Sequence, residues 1–406
     1  DKRTQQQQNA LYDHYLVSHD KEYQTHDKMV AKLEGERAAI KARSPLTHIQ
    51  EEVMNVMPAA NILMRGQYDK VGDKVEANTP AALPPLPKGA PRSRLGLAQW
   101  LVSADNPLTT RVTVNRFWQE LFGVGIVKTS EDFGIMGMAP IHPELLDWLA
   151  VEFRESGWDV KKFLKMLVMS ATYRQSATVT PEKLEKDRDN SLLSRGPRFR
   201  MDAEMVRDYA LDVSGLLSPK MGGPSVRPYQ PEGIWDVVGL PGGDTRTYVQ
   251  DKGENLYRRT FYNFWKRMAP PPNMETFNAP SREFSCVRRE RTNTPLQALV
   301  TMNDTQFIEA ARVLAQRTVC DCNDTAKIVD TIARRVLCRP LSEKEATVVQ
   351  ASFTDLLAHY KAHPDDAKAL LTVGESPVDA KLDPVTLAAW TMVCNQLLNL
   401  DEVLNK

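Results

Sequence analysis

Apolar residues in this chain recur at helical spacing over most of its length, and the spacing fails where proline, arginine or glycine accumulate. Between residues 9 and 43, Leu11, Tyr15, Met29, Leu33 and Ile40 form a thin apolar stripe in a charged segment. That pattern predicts one long polar helix, which needs a surface to lie on. From 45 to 91 the periodicity dissolves into a Pro-rich strap (Pro58, Pro80, Pro84, Pro85, Pro87), in which LMRGQYDKVGDKV predicts an extended segment turning at Gly72. Residues 94 to 176 form the clearest helical block. Asn106 and Pro107 open a helix that runs through RVTVNRFWQELF and stops at Gly123. His142 and Pro143 open a second, with Leu145, Leu146, Trp148, Leu149 and Phe153 on one face until Gly157, and a third spans 160 to 173.

Residues 178 to 200 are charged and aperiodic, after which MDAEMVRDYALDVSGLL resumes a helix. Alternation in YRRTFYNFWKR, within 248 to 267, predicts a strand pair with Phe261 and Trp265 opposite Tyr262 and Phe264. Helices return in TQFIEAARVLAQR, after a capping box of Ser342 and Glu345, and after Asp383 and Pro384. The expected fold is mainly α (α+β), with helical lobes around a small central β element, an N-terminal long helix and the Pro-rich strap. Its parts are 1–55, 56–93, 94–305 and 306–406.

With 406 residues, 42% of them hydrophobic, the chain can bury two or three cores. Fifty-two basic residues balance 52 acidic ones, which argues against a general nucleic-acid or membrane-surface binder. No apolar run approaches the roughly 18 residues that span a bilayer. The five cysteines are too few and too scattered for a disulfide framework. A start at Asp1 in DKRTQQQQ, without Met or an apolar segment, predicts a processed or trimmed part of a longer protein.

Against that neutral background, residues 258 to 291 carry eight basic side chains and three acidic ones. Arginine forks suit carboxylate, sulfate or phosphate, so Arg267, Arg282, Arg288, Arg289 and Arg291, with Asn293 and Trp265, are candidates for binding an anionic substrate. The segment 270 to 293 is expected to line the principal cleft. The same guanidiniums would equally serve a buried network with loop carbonyls and the nearby Glu283, Glu290 and Asp304. His142, after the Gly-containing SEDFGIMGMAP loop, joins Asp132 and Glu144 as the candidate catalytic group, residue types from which a general base or a metal ligand can be built. Their other reading is a helix start: cap, dipole partner and turn residue.

No metal site is expected. Cys320 and Cys322 lack further ligands nearby, and His359 and His363, though four apart, lie in the strongly polar AHYKAHPDD and read as a solvated face. No cysteine is followed by histidine, so the chain carries no c-type haem motif. Nucleophile elbow, P-loop and dinucleotide fingerprint are also missing from the sequence.

The segments RLGLAQWLVSADNPLTTRVTVNRFWQELFGVGIVKTSEDFG, HPELLDWLAVEF, MGGPSVRPYQPEGIW, YRRTFYNFWKR, APSRE and RRERTNTPLQAL resemble the planctomycete PSD-one domain, a domain of unknown function. The resemblance implies an exported protein, periplasmic or at the cell surface. It also implies upstream domains of the same precursor as partners, among them a cytochrome-c-like domain. Residues 1 to about 55 resemble the tail of the region that precedes the domain. No cofactor is expected in this chain, with c-type haem in the separate domain. The resemblance transfers no catalytic residues, and Asn278 stands where Asp is common before APSRE. Two functions follow as expectations. One is a substrate-facing module of a cytochrome-c-linked system that oxidises carbohydrate or another anionic organic substrate. The other is a non-catalytic scaffold or glycan-binding module, with polysaccharide as its partner.

Overall fold

The computed structural model describes residues 3–44, 46–51, 53, 60–236, 238–239, 242–243, 246–322 and 324–405. Pro45 and Pro58 of the expected strap, and the boundary near 55, lie outside them or at their edge. Among the described residues the chain is mainly α, with 17 α-helices and one two-stranded sheet. It divides into units of residues 1–106 and 107–406.

In the first unit the expected single helix is two, Gln5–His19 and Lys21–Arg43. Asp20 makes the break: its carboxylate accepts from the amides of Glu22 (3.0 Å) and Tyr23 (2.9 Å), the bonding of an N-cap. Leu11, Tyr15, Met29, Leu33 and Ile40 are exposed. The sheet pairs Ala60–Leu63 antiparallel with Val71–Val75. The chain reverses through Met64–Gly66, where Arg65 and Gly66 adopt φ of 56° and 73°. Gly72 therefore sits in a strand, and the turn comes earlier than expected. The strap is anchored where Trp100 Nε1 donates to the Pro84 carbonyl at 2.7 Å.

In the second unit the helices Thr109–Phe122, Pro143–Glu155 and Val160–Met169 enclose Val114, Trp118, Leu149, Phe153 and Phe163. Gly123 (φ 82°) and Gly157 (φ 77°) end the first two, as the sequence predicts. A larger core surrounds the helices Thr305–Asp321 and Pro384–Leu398, with Leu314, Ile332, Trp390 and Val393 at its centre. Between these cores, the helix Ala203–Ser214 packs on Thr305–Asp321 through Val206, Ala210, Phe307 and Ala310.

The strand pair expected within 248 to 267 is not formed. The segment contains two 3-10 turns, Gly253–Tyr257 and Thr260–Tyr262, and joins its neighbours by single bridges, Ser218 to Arg258 and Val226 to Asn263. Side chains of the Ala203–Ser214 helix take the backbone groups a strand partner would need. Buried Arg207 donates to the carbonyls of Leu256 and Arg258, both at 2.8 Å, and Asp208 accepts from the Thr260 amide at 2.7 Å. The apolar alternation was real, but hydrogen bonding decided the conformation.

Candidate functional site

The Thr109–Phe122 helix buries two amides, Asn115 and Gln119, beside Val114, Trp118 and Phe122. Both fasten the loop that follows. Asn115 accepts from the Val127 amide at 2.8 Å and donates to the Val127 carbonyl at 3.1 Å and to Ser130 Oγ at 3.1 Å. Ser130 in turn donates to Gln119 at 2.6 Å. Gly125 lies so close to this bonding that a Cβ there would stand 2.5 Å from Asn115 Nδ2. Glycine is required at that approach.

The fastened loop forms one side of a cavity of about 670 Å³, with Trp118, Phe122 and Phe199 among its apolar lining. The volume falls within the roughly 300–1,000 Å³ of small-molecule sites. A second side is the loop that carries Ser191. There Asp187 accepts from the amides of Leu192 (3.1 Å) and Ser194 (3.2 Å), and Arg195 donates to the carbonyls of Asp187 (2.7 Å) and Arg188 (2.8 Å). Burial opposes the charge of Asp187, but the donors from Leu192, Ser194 and Ser191 outweigh it and hold its carboxyl below the usual range. Asn190 and Leu193 adopt left-handed φ of 53° and 56° within the same loop.

The arginines form a third side. Arg291 lies over the Phe199 ring at 4.4 Å, donates to the Gly123 carbonyl at 2.9 Å and pairs with Asp202 at 3.5 Å. Arg289 forms a two-pronged pair with Glu204, and Arg288 pairs with Glu131 at 3.1 Å. Lys128, half-buried in the wall, makes no ion pair or hydrogen bond among the described residues. In all, five cations (Lys128, Arg198, Arg288, Arg289, Arg291) face three carboxylates (Glu131, Asp189, Glu290) around this cavity. Nearby, partial burial raises the Glu120 carboxyl above its usual range; Asp202 reinforces the shift, and Arg291 and Arg289 oppose it.

His142 lines the same cavity, with Nε2 3.2 Å from the Ser191 carbonyl. A carbonyl only accepts, so Nε2 carries a proton in this contact, and the tautomer that fits it has its lone pair on Nδ1. Asp132 and Glu144 do not line the cavity. Asp132 closes a turn by accepting from the Gly134 amide at 2.7 Å, and Glu144 occupies the first turn of Pro143–Glu155, whose N-cap is His142. The structure therefore joins His142 to Arg288, Arg289 and Arg291, but not to its two sequence-neighbour carboxylates.

The remaining candidates lie elsewhere. Arg267 pairs with Glu283 at 3.1 Å, Arg282 covers the Trp265 ring at 5.0 Å, and Asn293 is exposed. Arg282 and Arg289 line a second groove of about 990 Å³ with Glu120, Asp202 and Glu204. Asn278 adopts φ 59° and donates to Thr292 Oγ1 at 2.7 Å. Lys128, Ser191 and Phe199 escaped the sequence reading. They sit in aperiodic loops, and only long-range contacts bring them together.

Residues 93–353 match the PSD1 family, described as a protein of unknown function (DUF1553). The chain belongs to the PSD1 family. No curated protein and no solved structure matches it. The PSD1 match includes all three sides of the cavity and ends before the last helices of the C-terminal lobe. Among the described residues, no helix is long and apolar enough to cross a membrane.

Proposed function

We propose that the cavity between Lys128, His142 and Arg288 binds an anionic, ring-bearing organic ligand, an acidic carbohydrate foremost. On this reading the PSD1 chain is the substrate-facing module of an exported, cytochrome-c-linked system. The observation that carries it is a cationic excess beside aromatic side chains in one small-molecule-sized cavity. Guanidinium and ammonium groups suit the carboxylate or sulfate of such a ligand, and the aromatic side chains suit the apolar face of a sugar ring. With Nε2 held by the Ser191 carbonyl, His142 has Nδ1 to offer as a proton acceptor. The cytochrome link and the exported location rest on the family resemblance.

A non-catalytic glycan-binding module is the second reading. It is favoured by one observation: the three arginines already have internal carboxylate partners, while Asp132 and Glu144 do not line the cavity.

Oligogalacturonate, a sulfated oligosaccharide and a neutral maltooligosaccharide, each titrated calorimetrically into the full chain, test the proposal. The acidic ligands should bind, and Lys128→Gln with Arg288→Gln should weaken them at least about tenfold, as expected for lost charge-assisted contacts. Equal binding of the neutral sugar, or no change in the variants, rejects the site. His142→Gln separates the readings: binding kept with substrate oxidation lost supports the first. Binding kept with no oxidation by the unaltered protein, supplied with ferricyanide as electron acceptor, supports the second.

A further inference from the structure

The Glu343–Ala362 helix ends at a corner where His363 is both its C-cap and the N-cap of the Pro364–Leu371 helix. Three side chains able to ligate a metal meet at that corner. His359 lies in the last turn before it, His363 on it and Asp366 in the first turn after it, with donor atoms all within 4.8 Å of one another. His359 Nε2 is 3.9 Å from Asp366 Oδ2, and the two imidazoles stack with centroids 4.7 Å apart and planes 28° apart. His363 Nδ1 lies 3.1 Å from the His359 carbonyl. It must therefore be the protonated nitrogen, which leaves the lone pair on Nε2. Ligating histidines are commonly oriented in this way, one nitrogen donating to a backbone carbonyl and the other facing the metal.

We propose that His359, His363 and Asp366 bind a divalent transition-metal ion, Zn²⁺ foremost, which clasps the corner between the two helices. Two imidazoles and one carboxylate suit zinc and its neighbours better than magnesium or calcium, which prefer all-oxygen sites. Tetrahedral zinc with bonds of about 2.1 Å needs donors about 3.4 Å apart. The 3.9 Å His–Asp separation closes to that value by small rotations of exposed side chains. Water completes the coordination. All three residues fall after the PSD1 match, so the site is independent of the cavity and of its proposed ligand.

Zinc chloride is titrated into the full chain, its accessible thiols first alkylated, and the melting temperature is followed in parallel. The unaltered protein should bind zinc and melt higher with it. The His359→Asn/His363→Asn variant should bind at least about tenfold more weakly, having lost two of three ligands, and should lose the melting response. A His14→Asn/His19→Asn variant, which removes the other close histidine pair, should behave as the unaltered protein does. Equal zinc response in the His359/His363 variant overturns the proposal, as does loss of response in the His14/His19 variant alone. If the double variant melts differently without metal, Asp366→Asn takes its place and must weaken zinc binding.

Discussion

Asn115→Ala should loosen the cavity from beneath. The Asn115 side chain is fully buried, and Val127, whose amide and carbonyl it satisfies, is 2% exposed. Truncation leaves the Val127 amide without a partner and its carbonyl with only the long 3.4 Å contact to Ser130 Oγ, which keeps its shorter bond to Gln119. Each orphaned buried group costs about 1–3 kcal/mol, and a water entering the vacated space recovers part of that. A loss of about 2–4 kcal/mol follows, or roughly 3–6 °C in melting temperature for a unit of this size. Calorimetry should show the shift, and urea unfolding should show a lower midpoint with an unchanged slope. Asn115→Asp keeps the acceptor for Val127 N–H but loses the donors, so it should rescue little. Asn303→Ala, on an exposed helix position, is the control. If Asn115→Ala melts within about one degree of the unaltered protein, a range typical of surface substitutions, the loop is not held as described. Acidic-ligand binding should weaken along with stability, because the same loop carries Lys128.

Three further outcomes are expected. The Arg339 guanidinium and the Ser342 amide and hydroxyl hold the Glu345 carboxyl at about 2 instead of 4.5, so its contribution is complete above pH 4.5 and is lost as pH falls toward 2. Glu345→Gln should flatten melting temperature against pH across that window, and parallel curves would contradict the linkage. Burial keeps the Cys394 thiol protonated, whereas Cys286, Cys320 and Cys338 are exposed, so a thiol reagent should modify Cys394 only after denaturation. Gly374 and Gly157 both have left-handed backbone, at φ 84° and 77°, but only at Gly374 would a Cβ meet a neighbour, 2.4 Å from Glu309 Cδ. Gly374→Ala should therefore destabilise by about 1–3 kcal/mol more than Gly157→Ala, an overpacking cost, and equal losses would show that Glu309 yields.

Much of the helical framework was legible because its punctuation is local. Gly123 and Gly157 stop helices, and Ser342 with Glu345 starts one, through contacts no more than four residues long. Asp20 was missed although its capping is local, since a charged residue in a charged segment gives no contrast. The segment 248 to 267 was misread for a different reason. Its conformation is set by Arg207 and Asp208, about fifty residues away, and period-two apolarity carries no trace of them. The candidate site divides in the same way. Arginines in irregular backbone marked one wall of the cavity, and a histidine at a helix start marked another. Lys128 and Ser191 gained their positions from Asn115, Asp187 and Arg195, whose roles appear only once the chain is folded.

The arginines themselves bear on how a ligand would be held. Arg267 pairs with the neighbouring Glu283, but Arg288, Arg289 and Arg291 pair with Glu131, Glu204 and Asp202, from two distant segments. Pairing of this kind ties the 288 to 291 strip across the unit and orders it before any ligand arrives. The pairs are not equivalent. Arg288 and Glu131 are 51% and 44% exposed, a setting in which an ion pair contributes about 0–1 kcal/mol. Arg291 and Asp202 are 18% and 9% exposed, and breaking a buried pair by removing one partner costs up to about 3–5 kcal/mol, less here because Arg291 is partly wet. An incoming anion can therefore draw Arg288 from Glu131 at little cost and cannot easily draw Arg291 from Asp202. Lys128, with no ion pair or hydrogen bond among the described residues, is freer still. Binding falls to Lys128 and Arg288, while Arg291 and Arg289 keep the wall in place, so substitutions at the first pair should separate affinity from stability and those at the second should not.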